Sequence, residues 1–165
     1  ARPPTPVIYK EGEEFKVGGS KVVRSSKNDK LTIVACGVAV FEAIHAAEKL
    51  AAGGVNVRVI DVYSIKPIDE KTLREAAGET NNTIITCEDH WAEGGLGDAV
   101  LNVFAEQALH LEGVKSFHLP GVRIYKLAVS KLPMSGKGEE LLEYEGISAD
   151  SIEAKVKEIL GQSKR

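Results

Sequence analysis

The feature that most constrains this chain is a threefold alternation. Three short apolar runs, Leu31-Thr32-Ile33-Val34-Ala35-Cys36, Val55-Asn56-Val57-Arg58-Val59-Ile60-Asp61 and Thr83-Ile84-Ile85-Thr86-Cys87, are each followed by a stretch of helical periodicity. The runs are β-branched and short, as buried strands are. The helical stretches carry apolar residues at Val40, Ile44, Ala47 and Leu50, then at Leu73, Ala76 and Ala77, then at Leu96, Ala99, Val100, Val103, Phe104 and Ala108. Strands that are apolar on both faces, alternating with amphipathic helices, build a mainly parallel sheet covered on both sides. Right-handed crossovers follow.

The flanks complete the pattern. Lys21-Val22-Val23-Arg24 reads as an edge strand, and Val122 to Val129 as the last strand. Ser148 is placed to cap a final helix with Ile152, Val156, Ile159 and Leu160 on one side. Gly53-Gly54 ends the first helix, Pro67 keeps Lys66 out of the second, Asp69 caps it and Gly78 ends it. Pro133 to Gly138 is a loop, and Glu139 to Tyr144 forms one or two helical turns. The order is β-βα-βα-βα-β-α. Residues 1–19, with three of the six prolines, read as a linker or N-terminal arm, as though joined to something longer, and 20–165 as one domain.

Composition narrows the functions. A net charge of -3 argues against nucleic acid as a partner, because a phosphate backbone wants a basic face. The apolar runs are too short to span a membrane, no signal core is present, and a cytoplasmic setting is expected. Cys36 and Cys87 each end a strand and read as reduced thiols, with no metal-binding cysteine or histidine spacing.

Chemistry is best sought at the turn after the third run, Glu88-Asp89-His90-Trp91-Ala92-Glu93-Gly94-Gly95-Leu96-Gly97-Asp98, at the carboxyl end of a strand. Its G-G-x-G spacing is neither the dinucleotide fingerprint nor the phosphate-binding loop, and four carboxylates without a lysine or arginine would repel a phosphate. The carboxylates with His90 could hold magnesium or calcium. The better reading is that acidic groups complement a helix N-terminus and glycines permit a tight turn. Of the four histidines only His90 sits in a plausible site, and Trp91 is expected exposed on a loop, which points to a protein contact. His45 is read as a helix-surface residue. No nucleophile elbow is present.

Four stretches resemble the C-terminal domain of transketolase, a thiamine diphosphate enzyme. Gly37-Val38 through Glu42-Ala43 is similar to its G-x-x-x-x-E-A helix start. Asp61-Val62-Tyr63-Ser64-Ile65-Lys66-Pro67-Ile68-Asp69 is similar to D-x-[FY]-[ST]-[IL]-K-P-[IL]-D. Thr86-Cys87-Glu88-Asp89-His90 with Glu93-Gly94-Gly95-Leu96-Gly97 resembles the V-E-D-H-x-x-x-G-G-x-G turn, and Ser135-Gly136-Lys137 with Glu140-Leu141-Leu142 and Gly146-Ile147 resembles the R-S-G-K-x-x-E-L-L…G-I tail. Met134 stands where the animal-type tail has arginine, and the segment 110–121 is longer than usual.

The resemblance implies a three-layer α/β/α fold with a mixed five-stranded sheet and one antiparallel edge strand. It implies a homodimeric parent that moves a two-carbon ketol unit from a ketose phosphate to an aldose phosphate. There thiamine diphosphate and a divalent cation (Mg or Ca) lie between the preceding domains. No catalytic, cofactor-binding or metal residue is carried over to this chain. Glu88, Asp89, His90, Glu93, Gly94, Gly95 and Gly97 are expected to form a structural or interface turn, and the domain to be inactive alone. The alternatives are the partner-docking domain of a 2-oxo acid dehydrogenase β subunit or of deoxyxylulose phosphate synthase, and a stand-alone regulatory nucleotide-binding module.

Overall fold

The structure, a computed structural model, describes residues 5–109 and 121–162. Its strands are β1 (Lys21–Arg24), β2 (Thr32–Ala35), β3 (Arg58–Asp61), β4 (Thr83–Trp91) and β5 (Arg123–Val129). Its helices are α1 (Ala39–Ala52), α2 (Glu70–Glu79), α3 (Leu96–Leu109), α4 (Gly138–Glu145) and α5 (Ala149–Gln162). The strands form one sheet in the order β1-β3-β2-β4-β5. Only β1 runs antiparallel to its neighbour, so the expected mixed sheet with one antiparallel edge strand is what forms.

Side chains alternate across the central strands and divide the core in two. Ile33, Ala35, Val59, Ile85 and Cys87 meet the apolar stripe of α1 and Ile152, Val156 and Ile159 of α5. Val34, Ile60 and Ile84 meet Leu73, Ala76 and Ala77 of α2 and Leu96, Val100, Val103 and Phe104 of α3. Burial of these apolar side chains, at about 25 cal/mol per Å², is the main stabilising influence. The outcome is the three-layer α/β/α sandwich.

Several local expectations hold. Asp69 caps α2 by accepting from the Thr72 amide at 3.1 Å, and Ser148 caps α5 by accepting from Ser151 at 3.1 Å. His45 is exposed on α1. Others need correction. α2 runs through Gly78 to Glu79 before Thr80 ends it, because its carbonyls find partners one residue later. β3 begins only at Arg58, since Val55 to Val57 lie before the ladder with β2 starts. Residues 5–20 carry no strand or helix but are tethered to the sheet: the Tyr9 hydroxyl donates to Asp61 and the Gly18 amide to Ser64. The segment 110–121, expected to be enlarged, lies outside the described residues apart from Gly121.

Candidate functional site: the crevice at the strand switch

The chain leaves β2 towards β3 on one side and leaves β4 towards β5 on the other. The connections at the carboxyl ends of β2 and β4 therefore part, and a crevice opens between them, the usual ligand position in an open α/β sheet. It has a volume of about 290 Å³ and is lined by Cys36, Gly37 and Val38 from the β2–α1 turn, by Ile65, and by Glu88, Asp89, His90, Gly94 and Gly95. Five of the seven residues expected at the turn thus line one crevice.

The acidic residues do different jobs. Glu88 is 1% exposed and its carboxylate accepts from the amides of Leu96 at 2.6 Å and Gly97 at 2.8 Å. It caps α3 from the end of the preceding strand, satisfying two amides that the helix itself cannot, and its charge opposes the helix dipole. Asp98 lies in the first turn of α3 itself. It accepts from the Gly94 amide at 2.7 Å and from Lys126 Nζ at 2.7 Å, and these bonds, the lysine first, hold its carboxyl below the usual range. Asp89 and Glu93 are exposed.

The glycines answer to geometry. Gly94 turns at φ 78°, in the left-handed region. A Cβ on Gly95 would fall 2.0 Å from Glu88 Oε2 and 2.8 Å from His90 Nδ1. A Cβ on Gly97 would fall 2.4 Å from Lys126 Cε. Gly95 and Gly97 are therefore absent side chains that let Glu88 and Lys126 reach the helix start.

His90 is exposed and its Nδ1 donates to the Trp91 carbonyl at 2.8 Å, with Glu88 Oε2 4.0 Å away. Trp91 is 48% exposed, as expected, but it is the last residue of β4 and not part of a loop. The strand continues past Cys87 because Trp91 pairs with Val129 of β5, after a register shift that interrupts the ladder. Cys36 is half-buried, and burial, followed by the charges of Glu88, Asp61 and Asp89, pushes its thiol up to about 11, which favours the protonated form.

Sequence reasoning missed Lys126. It places no cation in the turn, yet the parallel register Thr86↔Lys126 brings this lysine under it. Lys126 Nζ donates to the Ala92 carbonyl at 2.5 Å as well as to Asp98. Glu88 and Asp98 are thus occupied by amides and an ammonium. Among the described residues, no group of three histidine, cysteine or acidic side chains is arranged to hold a metal ion. A diphosphate does not suit the crevice either, since the carboxylates of Glu88 and Asp89 line it and Lys126 is already bound.

Residues 20–152 match the family model described as "Transketolase, C-terminal domain". The chain belongs to that family. It is 42% identical over 157 residues to a transketolase of Rattus norvegicus, and 39% identical over 160 residues to one of Homo sapiens. These alignments cover 95% and 97% of this chain but 23% and 24% of the relatives, so the chain spans about a quarter of the length of the curated relatives it matches. A solved split-gene transketolase, described as an inactive beta4 tetramer, superposes with a TM-score of 0.75 at 33% identity, covering 93% of this chain and 45% of that one. A transketolase from Leishmania mexicana superposes at a TM-score of 0.60 over 88% of this chain and 18% of its own, at 17% identity, which speaks to fold alone. These matches favour the transketolase C-terminal domain over the dehydrogenase, synthase and nucleotide-module readings.

Proposed function

We propose that this chain serves as the third domain of a cytoplasmic, homodimeric transketolase. Its parent moves a two-carbon ketol unit from a ketose phosphate to an aldose phosphate in the pentose phosphate pathway. Thiamine diphosphate and its divalent cation belong to the preceding domains, and the domain is inactive alone. The observation that carries the reading is the family match over residues 20–152, joined to a crevice whose buried carboxylate is engaged in capping a helix. The inactive beta-chain tetramer of the split-gene relative supports a division of labour in which this part does not turn over substrate unaided.

In this reading the crevice rim is an interface with the preceding domains or the second subunit. Asp89, His90, Trp91 and Glu93 stand exposed at the carboxyl edge of the sheet, and Ile65 is 39% exposed beside them. An exposed tryptophan among charged groups suits a protein contact. The deciding experiment assays ketol transfer, with thiamine diphosphate and magnesium, by this chain alone and by the same chain joined to its two upstream domains. Turnover is expected only from the joined protein, and no heat of thiamine diphosphate binding from the chain alone. Turnover or stoichiometric cofactor binding by the chain alone would overturn the reading.

A further inference from the structure

A second hollow, of about 460 Å³, lies at the carboxyl ends of β2 and β3, between residues 5–9 of the arm, Val40 and Phe41 of α1, and Tyr63 and Ile65. Its size is that of a small-ligand site. Asp61, the last residue of β3, lines it and is 7% exposed. Among the described residues its carboxyl has one hydrogen-bond donor, the Tyr9 hydroxyl on Oδ2 at 2.5 Å, which leaves Oδ1 without one. No lysine or arginine among the described residues pairs with it. Lys21, its partner across the β1–β3 ladder, is bound to Glu13 and lies 5.5 Å from the centre of the Phe15 ring. Burial pushes the Asp61 pKa up, and the Tyr9 bond pulls the other way.

A carboxyl buried this far is costly to keep charged, and among the described residues no cation offsets it. Two aromatic residues, Tyr9 and Tyr63, line the hollow, and Phe15 packs between them, edge to face with ring centres 4.9 Å apart in each pair. Val40, Phe41 and Ile65 offer an apolar wall for a short stem.

We propose that this hollow binds a guanidinium or primary ammonium group on a short apolar stem, with the cation on Asp61 and the stem against Val40, Phe41 and Ile65. The hollow adjoins the neighbouring crevice and shares Cys36, Gly37 and Ile65 with it, but Asp61, on which the cation rests, lines the hollow and not the crevice. The same chemistry comes from a free small molecule or from the arginine or lysine of a protein segment.

The test titrates the chain with butylguanidinium, with its neutral isostere N-butylurea, and with the capped tripeptide acetyl-Gly-Arg-Gly-amide. Amide shifts and the Asp61 carboxyl carbon are followed by NMR. Butylguanidinium is expected to give saturable shifts at Tyr9, Val40 and Ile65 and to lower the Asp61 titration midpoint. Asp61→Asn is expected to weaken it about ten- to a hundredfold, the worth of one charge-assisted hydrogen bond. Binding of the free cation supports a small-molecule site, and binding of the tripeptide alone supports a side-chain occupant. Butylurea binding as well as butylguanidinium, or no saturation with either cation, overturns the proposal. The urea comparison is made on the unsubstituted chain and so does not depend on how Asp61→Asn folds.

Discussion

Replacing Glu88 by glutamine tests whether one carboxylate organises the crevice. The side chain is 1% exposed and holds two amides, those of Leu96 and Gly97, at 2.6 and 2.8 Å. Glutamine keeps the shape but offers one oxygen and one NH2. One amide keeps an acceptor, while the other faces a donor and is left unsatisfied in a buried place. The loss of a charge-assisted bond and the orphaned amide together cost about 2–3 kcal/mol. For a domain of this size, each kcal/mol moves the melting temperature by about 2–4 °C, so a drop of about 4–12 °C is expected. Differential scanning calorimetry reads the global effect. Hydrogen exchange at Leu96 and Gly97 reads the local one, and should accelerate more than exchange in the middle of β2. Glu88→Ala, which removes both acceptors, should cost about 4 kcal/mol or more. A glutamine variant that melts within about 1 °C of the parent, with unchanged exchange at both amides, would refute the idea that the cap holds this turn together.

Three further outcomes are expected. Gly95→Ala drives a methyl into Glu88 and His90, where its Cβ would lie 2.0 and 2.8 Å from their nearest atoms, and should destabilise by about 2–4 kcal/mol in urea denaturation. Asp98, held down by Lys126 and the Gly94 amide, should titrate below its unfolded value of about 3.9. A depressed folded pKa adds stability above the unfolded value, and that stability is lost as pH falls through the folded one. Lys126→Met should raise the Asp98 midpoint in a carboxyl carbon titration and flatten the acid limb of the stability curve. Trp91→Ala should leave the melting temperature of the chain within about 1–2 °C, because the ring is 48% exposed, yet weaken assembly with the upstream domains in sedimentation.

What could be read in advance followed from periodicity. β2, β3 and the buried half of β4 are written in β-branched runs, and α1, α2, α3 and α5 in apolar stripes, because burial on one or two faces leaves a direct mark on composition. The polar half of β4 leaves no such mark. Asp89 to Trp91 extend beyond the packed body of the sheet, and their strand geometry comes from Trp91 meeting Val129, a pairing set by another part of the chain. The sequence marks a turn after the third apolar run but gives no ground for telling its four carboxylates apart. Alternation along β4 turns Glu88 inward and Asp89 outward, and only the register of β4 against α3 shows which one caps. Lys126 was invisible for a similar reason. It lies 28 residues from Asp98 in sequence, and in a strand of alternating polarity it reads as an ordinary outward lysine.

The Glu88 cap has a kinetic side. From Glu88 to Leu96 the chain makes a ring closed on itself, with the carboxylate at one end gripping amides at the other. The bonds from Gly94 to Asp98 and from Lys126 to Ala92 brace its circumference. Such a ring has no loose end to settle when something arrives. In the proposed interface, Asp89, His90, Trp91 and Glu93 would meet a partner as one preset array, with little conformational entropy left to lose on docking. Changes at these positions should then alter how long a partner stays more than how fast it comes.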